Sequence, residues 1–141
     1  MGCDRGAVIT LDTSALLALF NRADAHHPAA TEVLAADPGP YLVPAGILAE
    51  VAYMLEVRHG TDRLDSFLGD LESGAFALHC GERDLTRIRA LVRRYENLPL
   101  GFADATVIAC AEAHGSLVLT FDRRDFEVIA REGTISVQPP L

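Results

Sequence analysis

Ala7–Phe20 reads AVITLDTSALLALF, and the change of pattern at Asp12 decides the fold. Ala7–Leu11 is a short apolar run with β-branched residues, the signature of a buried strand. Thr13–Arg22 follows at once, with Leu16, Leu17, Leu19 and Phe20 forming a helical apolar face. A strand that runs straight into a helix, with an acid at the junction, is the opening of a strand–helix–strand unit.

The alternation continues along the chain. Helices are expected at Pro28–Ala36, at Ala45–Arg58 ending at the C′ residue Gly60, and from a Thr61 or Asp62 cap to Ser73–Gly74. Further helices are expected at Glu82–Asn97 ahead of Pro99, at Phe102–His114 and at Arg124–Arg131. Strands are expected at Tyr41–Val43, after the turn DPGP (Asp37–Pro40), and at Ala75–Leu78, Ser116–Phe121 and Thr134–Val137. The order βααβααβααβαβ implies a mainly parallel sheet covered on both faces. In such sheets the functional crevice lies beyond the carboxyl ends of the strands.

Composition bounds the rest. A chain of 141 residues, half of them hydrophobic, is one domain with a core of its own, here residues 1–141. No apolar run approaches the roughly 18–20 residues of a membrane span. The short polar start Met1–Gly6 leaves no signal peptide. Cys3, Cys80 and Cys110 are odd in number and widely spaced, which speaks against disulfides or a zinc cluster and for a reducing cytoplasm. Cys80 and Cys110 read as small core hydrophobes. The net charge of -8 excludes a generic basic nucleic-acid-binding surface, although bound cations would reverse the local field. All 12 basic residues are Arg, whose fork suits phosphate or carboxylate.

Four acids stand beside or inside apolar segments at the chain reversals: Asp12, Glu50, Asp104 and Asp122. An ionised group there is costly unless paired. Each Asp alone could be a helix cap. Glu50 is harder to explain that way, because Gly46, Ile47, Tyr53 and Met54 make its helix apolar nearly all round, so partial burial is expected. Taken together, with no Lys to neutralise them, the four acids suggest a shared divalent cation. Carboxylates without His or Cys favour Mg²⁺ or Mn²⁺, a chemistry that serves phosphoryl transfer. Thr13, Ser14 and Thr120 adjoin the acids as auxiliary hydroxyls. Arg123 and Arg124 are the nearest candidates for substrate contact, with pairing to Asp125 as the structural alternative.

Other candidates carry less. His26, His27, His59, His79 and His114 lack metal spacing, and His26–His27 reads as a surface loop pair. Ser14 lacks a nucleophile elbow. Arg83, Arg87 and Arg94 form a stripe read as a solvated face paired with Glu82, Asp84 and Glu96.

LDTSALLALF, the AE pair at Ala49–Glu50, FADATVIACAE and TFDRRDF, in this order across nearly the whole chain, resemble a PIN domain, most closely the VapC toxins of bacterial toxin–antitoxin pairs. The resemblance implies a three-layer α/β/α sandwich with strand order 3-2-1-4-5 and a cytoplasmic Mg²⁺- or Mn²⁺-dependent endoribonuclease. Carried over, Asp12, Glu50, Asp104 and Asp122 would be both catalytic and metal-binding, with Asp125 auxiliary. It also implies a homodimer and a VapB-type antitoxin whose Arg neutralises the acids. Leu16, Leu19, Phe20, Tyr53, Met54 and Phe67 are the candidates for the groove or dimer face, with membership of the core as the plainer reading for most of them.

Rival readings fail on single residues. A haloacid dehalogenase phosphatase needs an Asp where Ser14 stands, and a receiver domain needs a Lys. A flap nuclease needs more helices than this length allows. A PIN-like scaffold that binds a partner without catalysis is the remaining alternative.

Overall fold

The computed structural model describes residues 7–98 and 100–140; Met1–Gly6 with Cys3, and Pro99, lie outside them. Five parallel strands form one sheet: β1 (Ile9–Leu11), β2 (Tyr41–Pro44), β3 (Ala77–His79), β4 (Leu117–Leu119) and β5 (Ser136–Gln138). Their spatial order is β3-β2-β1-β4-β5, as the resemblance implied. The order reverses at β1, whose neighbours β2 and β4 both pair with Ile9, through Tyr41 and Leu117. That reversal places the expected crevice at the end of β1.

The helices are α1 (Thr13–Leu19), α2 (His27–Ala36), α3 (Leu48–His59), α4 (Thr61–Ser73), α5 (Leu85–Arg94), α6 (Phe102–Ala113) and α7 (Arg123–Ala130). Single 3-10 turns at Ala45–Ile47 and Glu82–Asp84 precede α3 and α5, so both helices start later than the apolar pattern suggests. α1 packs on α2 and α3, and α3 on α4; α6 packs on α5 and lies across β1, β2 and β4. The result is the α/β/α arrangement read from the strand–helix alternation.

α6 is the spine of the core, with Ala105–Ala111 buried without a break. Its alanines and Thr106 let other backbone come close. The 3-10 turn before α3 does so at Gly46, where an added Cβ would lie 2.7 Å from Thr106 Cγ2 and 3.1 Å from Phe102 Cε1. This contact sets α3 against α6, and hence Glu50 against Asp104. A second glycine requirement is at Gly60 (φ 85°), the one-residue hinge between α3 and α4. Gly60 itself caps α4; neither Thr61 nor Asp62 makes the side-chain cap expected of it.

Several expectations of burial are corrected. Glu50 is exposed. α3 is apolar all round because one of its faces carries uncovered residues, Tyr53 at 67 % and Val57 at 64 % exposure. Leu16 and Phe67 are fully buried and cannot line a groove, whereas Leu19 and Phe20 are partly buried against the core. Cys110 is buried, but Cys80 is exposed because edge strand β3 ends just before it.

Gly46→Ala should destabilise the protein by ~1–3 kcal/mol through overpacking against Thr106. Thermal melting of Gly46→Ala and of the double variant with Thr106→Ala tests this. Recovery in the double variant is expected, and independent additive losses would refute the contact.

Candidate active site

Each acid is delivered by the first turn of a helix. Asp12 is the N-cap of α1, Glu50 and Asp104 stand third in α3 and α6, and Asp122 precedes α7. Helix N-termini carry partial positive charge and tolerate carboxylates, which is why the local sequence accepts acids there. The four acids line one cavity of about 400 Å³, together with Thr13 and Ser14. Its wall is apolar, from Leu17, Ile47, Met54, Ala103 and Val107.

Asp12 is the best-held member. It is 5 % exposed. One of its oxygens accepts from Ser14 Oγ (2.7 Å) and from the Ala15 N–H (2.8 Å); the other accepts from Thr120 Oγ1. The capping explanation is therefore true of Asp12, and compatible with its place in the cavity. Ser14 and Thr120 also accept backbone N–H groups from the segment that follows β4. Ser14 Oγ accepts from the Phe121 N–H at 2.9 Å, and Thr120 Oγ1 accepts from the Asp122 N–H at 3.1 Å. The two hydroxyls thus tie the β1–α1 junction to the β4–α7 junction. Asp122, in contrast, makes no side-chain cap.

The electrostatics are those of an uncompensated cluster. Burial pushes the Asp12 carboxyl up to about 6 against the lowering effect of its hydrogen bonds. Burial, followed by repulsion from Asp122, Asp12, Asp125 and Glu50, pushes Asp104 up to about 6. The ion pairs among the described residues are His79–Asp84, Arg87–Glu112 and Arg94–Glu132, and none reaches the cavity. The Arg stripe is thus paired through Arg87 and Arg94, but with Glu112 of α6 and Glu132 of the turn after α7 rather than within its own helix. Asp125 is 7 % exposed, and its Oδ1 lacks a hydrogen-bond partner among the described residues. Pairing with Arg123 or Arg124 is not seen. Arg123 instead donates to the Pro139 carbonyl and lines a separate surface cleft with Glu127 and Arg131, which leaves Arg124 as the exposed member.

All-oxygen, strongly negative donors suit a hard divalent cation. As the side chains stand, however, no three acids among the described residues are gathered closely enough to hold a metal ion. What the structure contains is a single cavity lined by all four acids read from the sequence.

The sequence reading missed the apolar wall and one aromatic neighbour. His26, expected as a surface loop residue, lies flat on Phe121. Nothing local signals this, because the contact depends on how the α1–α2 loop returns over the sheet edge.

The sequence pattern of the PIN domain family matches residues 9–132. The ribonuclease VapC26 of Mycobacterium tuberculosis is 32% identical over 121 residues, covering 84% of this chain and 90% of the relative. Among solved structures, M. tuberculosis VapC20, described as a sarcin–ricin loop cleaving toxin, superposes with a TM-score of 0.75. It shares 23% identity, covering 85% of this chain and 94% of the other. A toxin–antitoxin complex from Klebsiella pneumoniae gives a TM-score of 0.67 at 25% identity, covering 91% and 95%.

The raised carboxyls imply a stability profile. Their folded-state values lie above the ordinary 3.8, so between about pH 4 and 6 the folded state binds more protons than the unfolded one. Stability of the metal-free protein should then fall as pH rises through this window. Asp104→Asn should flatten the slope and raise Tm in EDTA at pH 7.5 by roughly 3–6 °C. Melting curves from pH 4.5 to 7.5 check this; an unchanged or lower Tm in the variant would contradict it.

Proposed function

The chain belongs to the PIN domain family, and from that premise we propose that it is a Mg²⁺- or Mn²⁺-dependent endoribonuclease toxin. The observation that carries this reading is the placement of Asp12, Glu50, Asp104 and Asp122 around one cavity with no cationic side chain among the described residues that line it. The relative named a ribonuclease and the neighbour named a loop-cleaving toxin support RNA as the substrate. We read the whole chain as a single PIN domain working in the cytoplasm. No helix among the described residues is long and apolar enough to cross a membrane.

In this reading the four acids hold the cation, and Asp125 is an auxiliary acid behind Asp104. A cation bound there supplies charge neutralisation for a phosphodiester and acidification of water. The chain's own residues do the rest. Asp12 is kept in one orientation by Ser14, Thr120 and the Ala15 N–H, so its carboxylate is a fixed anchor. Burial and the neighbouring acids push the Asp104 carboxyl up to about 6, so a cation held there would compete with a proton. The apolar wall of Leu17, Ile47 and Val107 limits water around the acids and strengthens their field. Arg124, exposed two residues beyond Asp122, would meet a neighbouring phosphate. Water attacks phosphorus in line, the bond to the 3′ oxygen breaks, and the products carry a 5′-phosphate and a 3′-hydroxyl.

The partners follow the same reading. We propose a homodimer and a VapB-type antitoxin, which would cover apolar residues this protomer leaves exposed, Tyr53, Val57, Leu85, Val92 and Phe102. An antitoxin Arg entering the cavity would supply the missing positive charge.

The test is incubation of total RNA with antitoxin-free protein in Mg²⁺, Mn²⁺ or EDTA. Discrete cation-dependent cuts with 5′-phosphate ends are expected, weakening below about pH 6 as protons compete with the cation at Asp12 and Asp104. Asp104→Asn should lose on the order of 100-fold or more. Cuts that persist in EDTA, or full activity in the variant, would refute the mechanism. A folded protein that neither cuts RNA nor binds Mn²⁺ would be the partner-binding scaffold.

A further inference from the structure

A second feature, aromatic rather than acidic, adjoins Asp122 in the chain. The His26 ring stacks on Phe121 with centroids 4.5 Å apart and planes 12° from parallel. Phe121 immediately precedes Asp122. Its N–H is bound to Ser14 Oγ, the same hydroxyl that donates to Asp12. The stack is therefore one residue from one acid and one hydroxyl from another.

His26 is exposed, yet its backbone is held on both sides. Its N–H donates to Asp24 Oδ1 (2.7 Å), and its carbonyl accepts the Ala30 N–H (2.9 Å). The next residue, His27, is anchored by Nδ1 to the Ala18 carbonyl at 2.7 Å. The His26 ring nitrogens have no hydrogen-bond partner among the described residues. An imidazole fixed at its base, flat on a phenyl ring and open to solvent is a preformed aromatic ledge, whose ordering entropy is already spent.

Resting on the ribonuclease reading above, we propose that His26, backed by Phe121, is a stacking platform for an unpaired nucleobase next to the scissile phosphate. Every base offers a π-face, and stacking on an aromatic side chain needs no charge. This matters in a chain of net charge -8, whose cavity repels phosphate until a cation is bound. The in-plane ring nitrogens of His26 are free to meet groups at the edge of a neighbouring base, which makes the ledge a determinant of cut-site preference as well as of affinity.

The experiment is steady-state cleavage of a short RNA oligonucleotide spanning a cut mapped in total RNA, alongside versions with an abasic ribose on either side of the cut. His26→Ala should raise KM roughly tenfold to a hundredfold while kcat stays within about twofold. His26→Phe should restore most of the loss. One of the two abasic substrates should cost the wild-type enzyme the same factor and cost His26→Ala nothing further, since the ledge and its base form one coupled pair. An unchanged KM in folded His26→Ala, or equal additive losses on intact and abasic RNA, overturns the platform and leaves the nuclease standing. A wild-type protein that cuts no RNA removes the ribonuclease reading, and the platform with it.

Discussion

The buried carboxylate of Asp12 is the constraint on which the edge of the sheet is built. An ionised group at 5 % exposure is tolerable only inside a dense set of donors. Ser14, the Ala15 N–H and Thr120 provide them, and each of those hydroxyls also accepts a backbone N–H from the Phe121–Asp122 segment. One acid therefore holds two strand–helix junctions in register. Because β1 is where the strand order reverses, the crevice formed between those junctions is also where Glu50 and Asp104 arrive, each on the first turn of its own helix.

Four helix N-termini partly offset four negative charges, but not fully. Asp104 keeps a proton up to about pH 6 because burial and its acidic neighbours outweigh the dipole. Asp125, buried with an unpartnered oxygen, adds to the same imbalance. Such an arrangement lowers the stability of the empty protein and favours whatever brings positive charge to it, whether a divalent cation or an Arg from a partner.

The corrections to the sequence reading share one origin. An apolar helix implies at least partial burial of Glu50, yet α3 leaves Tyr53 and Val57 uncovered, and Glu50 shares that exposure. Leu16 and Phe67 look like their exposed neighbours in the pattern, but lie in the core. Arg123 and Arg124 are adjacent and chemically identical; the first is drawn to the Pro139 carbonyl and only the second is exposed. In each case the residue type is legible in the chain and its surroundings are not.

The sequence by itself determined the alternation of strands and helices, the parallel sheet and the acids at the strand–helix junctions. Those features rest on local periodicity and on backbone demands at helix starts, which neighbours in the chain already encode. The tertiary structure alone decided that Ser14 and Thr120 share Asp12, that Gly46 seats α3 against α6, and that His26 lies over Phe121. These contacts join residues that no period relates, Thr120 meeting Asp12 from 108 positions away. They exist because sheet order and loop return bring distant segments to one edge, a property of the packed chain as a whole.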